Sequence, residues 1–354
     1  LKKVWKESIG FGGGRRFPLI GQPVASEDTI FTLDTDNKIT AFTLASGKKK
    51  WHVPFVLRED EDWGTTGGGL AYADGKLYVT SGYSQLLCLD AKTGTVIWRA
   101  ATTSPARAAP TVTGDKAYLI TMDNRLMAFS SADGTPLWNY AGVAETTNLL
   151  GAVSPAVDSS AVILPLSSGE IFGLRIENGQ VVWQDSLAAV RRSGPLSAIS
   201  DIRGQPVISE GVVYAASYSG RMVAIDEVSG QRIWQREIGS AEMPWVAGDS
   251  VFVITSDQQL TALARQNGDV RWVTPLPRYE DPKSKNDPVV WTGPLLAGER
   301  LIAASSDGRM IEADPVSGKV LQETKLPGDV MIPPLVVNNM LIILTQQGQL
   351  VAYQ

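Results

Sequence analysis

Cysteine is almost missing from this chain. Cys88 is the only one, so no internal disulfide can form, and its place inside the apolar run Leu86-Leu87-Cys88-Leu89 reads as a buried strand thiol. Histidine is as scarce. A histidine-rich zinc site is excluded by count, and any triad needing an imidazole would have to use His52. That residue follows a tryptophan of the repeat described below with no catalytic motif around it, so a surface or packing role is expected. No run approaches the roughly 20 consecutive apolar residues of a membrane-spanning helix. Basic charge is not in excess either: the net charge is −5, which argues against nucleic acid as a partner. Helical periodicity is nearly absent, with one short turn conceivable over Ser186 to Val190.

What the chain has is repetition. A Gly-x-x-x-Trp element recurs at Gly47…Trp51, Gly94…Trp98, Gly134…Trp138, Gly179…Trp183, Gly230…Trp234 and Gly268…Trp272, and a seventh copy keeps Gly318 but has Gln322 for Trp. The stretch Gln205 to Trp234 shows the unit plainly. It holds four short β-branched or aromatic runs, 206–208, 212–216, 222–226 and 232–234, separated by turns at Glu210-Gly211, Ser219-Gly220 and Ser229-Gly230. One such meander cannot bury both faces alone; repeats bury them against each other. Pro23, Pro110, Pro155, Pro206, Pro244, Pro294 and Pro334 are each expected to open a first strand, where a proline removes no needed ladder hydrogen bond; Gly67-Gly68-Gly69 replaces it in the second unit.

The ends of the chain fix the count. The last unit, from Pro334, stops after three strands at Tyr353, and Leu1 to Trp5 looks like a fourth strand with nothing before it, in phase with the repeat. The expectation is all-β: an eight-bladed β-propeller of four-stranded antiparallel blades, one domain over residues 1–354, its ring closed by residues 1–5 completing the last blade. Closure removes the free edges that invite aggregation. An open solenoid is the alternative. Four connections are enlarged, 52–67, 139–154, 184–204 and 273–293, and loops that escape a repeat are where function usually sits.

Other conspicuous stretches have plain readings. Asp34-Thr35-Asp36-Asn37-Lys38 resembles the start of a calcium loop but lacks the spaced Gly and closing Glu, and aligns with hairpin turns of other units. Gly10 to Arg16 has neither the helix nor the Lys-Ser/Thr of a phosphate loop and reads as a flexible lead into the first blade. Glu59-Asp60-Glu61-Asp62-Trp63, Arg191-Arg192 and the 278–287 segment read as solvated loops or as rims for a charged partner.

The pattern Asp-x-x-(Ser/Thr)-Gly-x-x-x-Trp, standing as Asp90…Thr93-Gly94…Trp98 and Asp226…Ser229-Gly230…Trp234, resembles the repeat of quinoprotein-type propellers, in which the Trp docks between neighbouring blades. Asn148 to Pro155 and Leu196 to Pro206 narrow the resemblance to the BamB family, propeller lipoproteins of the BAM complex that folds β-barrels into the bacterial outer membrane. That resemblance implies a non-catalytic scaffold at the periplasmic face of the outer membrane, held there by a lipid this chain does not carry. It implies no cofactor or metal, and binding to BamA through its POTRA domains by way of these two connections. Leu149 matches an apolar contact of that family and Asp201 an acidic one; the patch is expected to add Leu150 as a second apolar anchor and Arg203, Arg191 and Arg192 around Asp201. Leu150 stands where familiar members have Arg, Arg203 where they have a second Asp, and Thr147 where they have Leu. Unfolded outer-membrane proteins adding a strand to a blade edge are a further partner. The other readings are a quinone-dependent dehydrogenase, which would need oxygen ligands converging on calcium and often a cysteine pair, and a small-ligand-binding propeller with aromatics on the axis, for which Trp63, Trp245 and Trp291 are the candidates.

Overall fold

A computed structural model describes residues 1–14, 17–55, 67–106, 108–142, 153–188 and 201–354. Its strands form eight four-stranded antiparallel sheets and one two-stranded hairpin, and no helix occurs among the described residues. The fold is the eight-bladed β-propeller that the repeat predicts. The chain divides into two compact units, Leu1–Asn139 with Pro327–Gln354, and Tyr140–Leu326.

In the first unit lie the first, second, third and eighth blades. The eighth is built from both ends of the chain: strand Lys3–Ser8 pairs with Gln349–Tyr353, Lys6 opposite Val351 and Glu7 opposite Leu350. Trp5 points from this strand into a core cluster with Ile30, Phe42, Ile342 and Leu350. The fourth to seventh blades make up the second unit, with middle strands such as Val212–Ala216 and Met222–Asp226 buried almost throughout.

The tryptophan has one job, repeated. Within the first unit Trp5, Trp51 and Trp98 donate their indole N–H to the carbonyls of Leu44, Ala91 and Ser131 of the following blade, at 2.8, 3.1 and 3.3 Å. Within the second, Trp183, Trp234 and Trp272 do the same to Glu227, Arg265 and Pro315, at 2.7, 2.9 and 3.1 Å. Each accepting carbonyl lies three residues before the repeat glycine. That glycine has φ between +70° and +76°, and a Cβ there would sit 2.4 to 2.8 Å from the same indole or its Cβ. Turn geometry and close approach both demand Gly. The Asp of the motif holds the turn in place: Asp90 accepts from the Thr93 amide and hydroxyl, and Asp226 and Asp314 do so from Ser229 and Ser317. Opposite the indole on its own blade sits a small residue, such as Ala41, Cys88, Gly173, Ala224 or Ala262. Cys88 is fully buried there.

Two expectations need correction. Pro294 does not open its strand: it lies inside Trp291–Ala297, where the pairing to the next strand shifts between Thr292 and Leu295. Such an irregularity is where a strand accommodates a proline. The Gly-rich lead at residues 10–14 is pinned: Gly13 N–H bonds the Gln346 carbonyl, and a Cβ on Gly12 or Gly13 would strike Gln346, Gln347 or Leu19. Ser186 ends a strand and Leu187-Ala188 are not helical; 189–190 lie outside the described residues. Asp34-to-Lys38 is the turn expected, with Asp34 accepting from the amides of Asp36, Lys38 and Phe11.

Candidate functional site

The connection that leaves strand Val181–Ser186 is tethered at both of its ends. Leu187 is fully buried, its N–H bonded to the Gly169 carbonyl and its own carbonyl accepting from Ser217 Oγ at 2.8 Å. Ile202, also fully buried, joins the same core cluster with Trp183, Ile163 and Val213. The two apolar pegs hold the ends of a stretch whose middle, residues 189–200, lies outside the described residues; Arg191 and Arg192 fall there. Leu149 and Leu150 likewise fall outside, in 143–152, and so do Glu59 to Trp63.

Asp201 and Arg203 are described, and they flank the Ile202 peg. Asp201 is 9% exposed, and its carbonyl accepts from the Tyr218 amide at 2.9 Å. It is therefore partly built into the blade rather than standing out from it. Arg203 is half-buried and faces Glu242, whose carboxylate accepts from Thr292 Oγ1 at 2.8 Å and the Gly293 amide at 3.1 Å. Burial pushes the Glu242 carboxyl above its ordinary range; those two hydrogen bonds and the Arg203 charge pull the other way without cancelling it. Next along, Gly204 packs so closely on the Glu242 carbonyl that a Cβ would lie 2.2 Å from it, and Gln205 reaches the Pro155 carbonyl at 3.0 Å. The 184–204 connection is thus fixed at its C-terminal end by a polar cluster drawn from three other segments of the same unit. Nothing in Ser-Ala-Glu-Met-Pro marks Glu242 for this role, because the partners at 203 and 292 are distant in sequence.

The 139–154 connection begins on Tyr140, whose ring packs on Phe172 at 5.5 Å. In the 273–293 connection, where the sequence suggests a loop, the chain forms an exposed hairpin, Tyr279–Asp281 with Asn286–Pro288. Its three-residue strands are too short to carry an alternation signal; only the Asp-Pro-Lys-Ser-Lys-Asn turn chemistry hints at it. Of the aromatics proposed for an axial ligand, Trp291 is a core residue, 1% exposed, donating to the Pro277 carbonyl at 2.9 Å, and Trp245 packs at the margin of the same cluster. Trp63 lies outside the described residues. His52 is exposed on a fourth strand. Among the described residues no group of three or more His, Cys, Asp or Glu side chains converges in a way that could hold a metal.

A family model described as outer membrane protein assembly factor BamB matches residues 35–274 and 283–354. The chain belongs to that family. BamB of Yersinia pestis is 25% identical over 356 residues, covering 99% of this chain and 88% of that protein. The crystal structure of BamB from Moraxella catarrhalis has a TM-score of 0.84 at 21% identity and covers 100% of this chain and 99% of that one, a shared fold over the full length. A quinohemoprotein alcohol dehydrogenase from Pseudomonas putida is similar at TM-score 0.74 and 13% identity, covering 99% of this chain and 76% of that one, again a likeness of fold alone. The BamB model leaves 275–282 unmatched, where the exposed hairpin begins.

Proposed function

We propose that this chain is a non-catalytic scaffold of the BAM complex, working at the periplasmic face of the outer membrane, lipid-anchored there, and docking the POTRA domains of BamA. The observation that carries the reading is membership of the BamB family over most of the chain. The docking patch consists of the 139–154 and 184–204 connections. Leu149 and Leu150 supply apolar anchoring, and Arg203, Arg191 and Arg192 with Asp201 fix orientation by charge. The tethering of the second connection at Leu187 and Ile202 supports this, because a loop held at both ends loses less entropy on docking. A second reading, strand addition by an unfolded barrel protein, is favoured by the apolar exposure of fourth strands at Val96, Ile97, Val181, Val182 and Ile233.

The test is a titration with the POTRA segment of BamA from the same organism. Leu149→Ala and Arg203→Glu should each weaken binding about tenfold or more. Arg203→Glu sets a second carboxylate against Glu242, and reversing the 9%-exposed Asp201 would disturb the Ile202 peg, so a charge variant counts only where its melt matches wild type. Wild-type affinity in both variants would remove the patch.

A further inference from the structure

Half of the lysines crowd onto one edge. Lys2, Lys3 and Lys6 lie on or beside the strand Lys3–Ser8, Lys48, Lys49 and Lys50 lead into the strand Lys49–Pro54, and Lys92 sits in the corresponding turn of the second blade. All seven are exposed. The first two groups adjoin, because Trp5 donates to Leu44 and its ring lies under Gly47. Between the first and second blades a groove of about 780 Å³ is lined by Lys48, Lys49, Lys50 and Lys92 above Phe31, Trp51 and Tyr72. Among the described residues only Lys50 of the seven is ion-paired, to Asp28 at 2.8 Å.

The repeat itself shows that packing does not ask for these lysines. The two residues before the tryptophan are Val96-Ile97, Pro136-Leu137, Val181-Val182, Arg232-Ile233 and Val270-Arg271 in other blades, and Lys49-Lys50 here. The equivalent groove between the fifth and sixth blades, about 540 Å³, balances Arg265 and Arg271 with Glu210 and Asp249. A chain of net charge −5 has therefore gathered seven exposed lysines on one edge, six of them without an ion pair among the described residues, in excess of what its fold needs.

We propose that this lysine edge is a contact surface for anionic lipid headgroups. The inference rests on the family reading for the nearness of a membrane. Lysine is a flexible point charge that meets phosphates without fixed geometry, whereas planar recognition of carboxylates favours arginine. The lysines spread over three successive blades, with Leu1 and Val4 exposed among them, which suits a fluid surface better than one peptide slot.

The experiment is vesicle sedimentation of the intact chain at about 50 mM salt, where surface charges act over somewhat more than about 10 Å. Vesicles of about 30 mol% phosphatidylglycerol in phosphatidylcholine should bind it, and pure phosphatidylcholine should not. Lys48→Glu/Lys49→Glu/Lys50→Glu should lower the partition about tenfold or more, Lys2→Ala/Lys3→Ala/Lys6→Ala should lower it by a smaller factor, and Lys283→Glu/Lys285→Glu on the hairpin should leave it unchanged. Raising salt to about 0.5 M should release the protein. Equal binding to neutral vesicles, undiminished binding by both lysine-edge variants, or capture of soluble polyglutamate without vesicle binding would each overturn the proposal. The POTRA titration run on the same wild type separates the two readings: vesicle binding without POTRA binding sinks the scaffold and spares the lysine edge, and the reverse overturns the lysine edge alone.

Discussion

Gly268 and Trp234 show how one residue pair carries the seam between blades. The indole donates to Arg265, three residues before the glycine, and a Cβ on Gly268 would lie 2.7 Å from the ring. Gly268→Ala meets both a left-handed φ of +73° and that clash, and should lower stability by about 1–3 kcal/mol. Trp234→Ala should cost about 3–5 kcal/mol. Urea melts of both and of the double variant should show non-additivity, because the atoms nearest the alanine methyl belong to the ring, and without it the strain at φ +73° is what remains. Simple additivity would mean that the glycine serves its turn alone. Glu242 makes a second residue-scale prediction. Its carboxyl titrates higher in the folded chain than in the unfolded one, so the folded state holds its proton more tightly. The resulting stabilisation is present below about pH 4.5, its unperturbed value, and is lost as pH rises through the folded value. Melts of wild type and Glu242→Gln at pH 4.5 and 7.5 should therefore shift relative stability toward Gln at the higher pH; no pH dependence of the difference would contradict it.

At the scale of elements, the sequence announces what is repeated and conceals what is not. Apart from its Asp-x-x-(Ser/Thr) half, which stands in full only at Asp90, Asp226 and Asp314, the Gly-x-x-x-Trp signal was legible because both residues answer a requirement met again in the next blade. The single exception is informative. In the seventh blade Gln322 replaces the tryptophan, and the small residue opposite is replaced by Glu312, 1% exposed and ion-paired with Arg300. In the eighth blade the two ends of the chain meet where other blades carry the glycine turn, Lys2 and Gln354 exchanging both backbone hydrogen bonds. Pro294 and the 279–288 hairpin were misread for the converse reason: a strand irregularity and a three-residue strand leave no periodic trace. In the site, Leu187 and Ile202 look like any loop aliphatics, and the depth of Asp201 depends on core partners far away in sequence. The terminal strand carries the element-scale prediction. Removing residues 1–8 deletes Trp5 and strips the pairing from Gln349–Tyr353, four of whose five residues are buried. That chain should melt markedly lower than wild type and aggregate through the bared edge, seen by scattering during a thermal ramp. A truncated chain that stays monomeric with an unchanged melt would show the closure to be dispensable.

Across the whole molecule, repeated seams supply rigidity, and under the proposed function recognition belongs to the connections outside the repeat. Hydrogen–deuterium exchange of the chain with and without the POTRA segment of BamA tests that division most directly. Slowed exchange is expected in 139–154 and 184–204, with little change in the seam turns around Gly94, Gly230 and Gly268. Protection centred on those turns or on the exposed fourth strands, with the two connections unaltered, would contradict it.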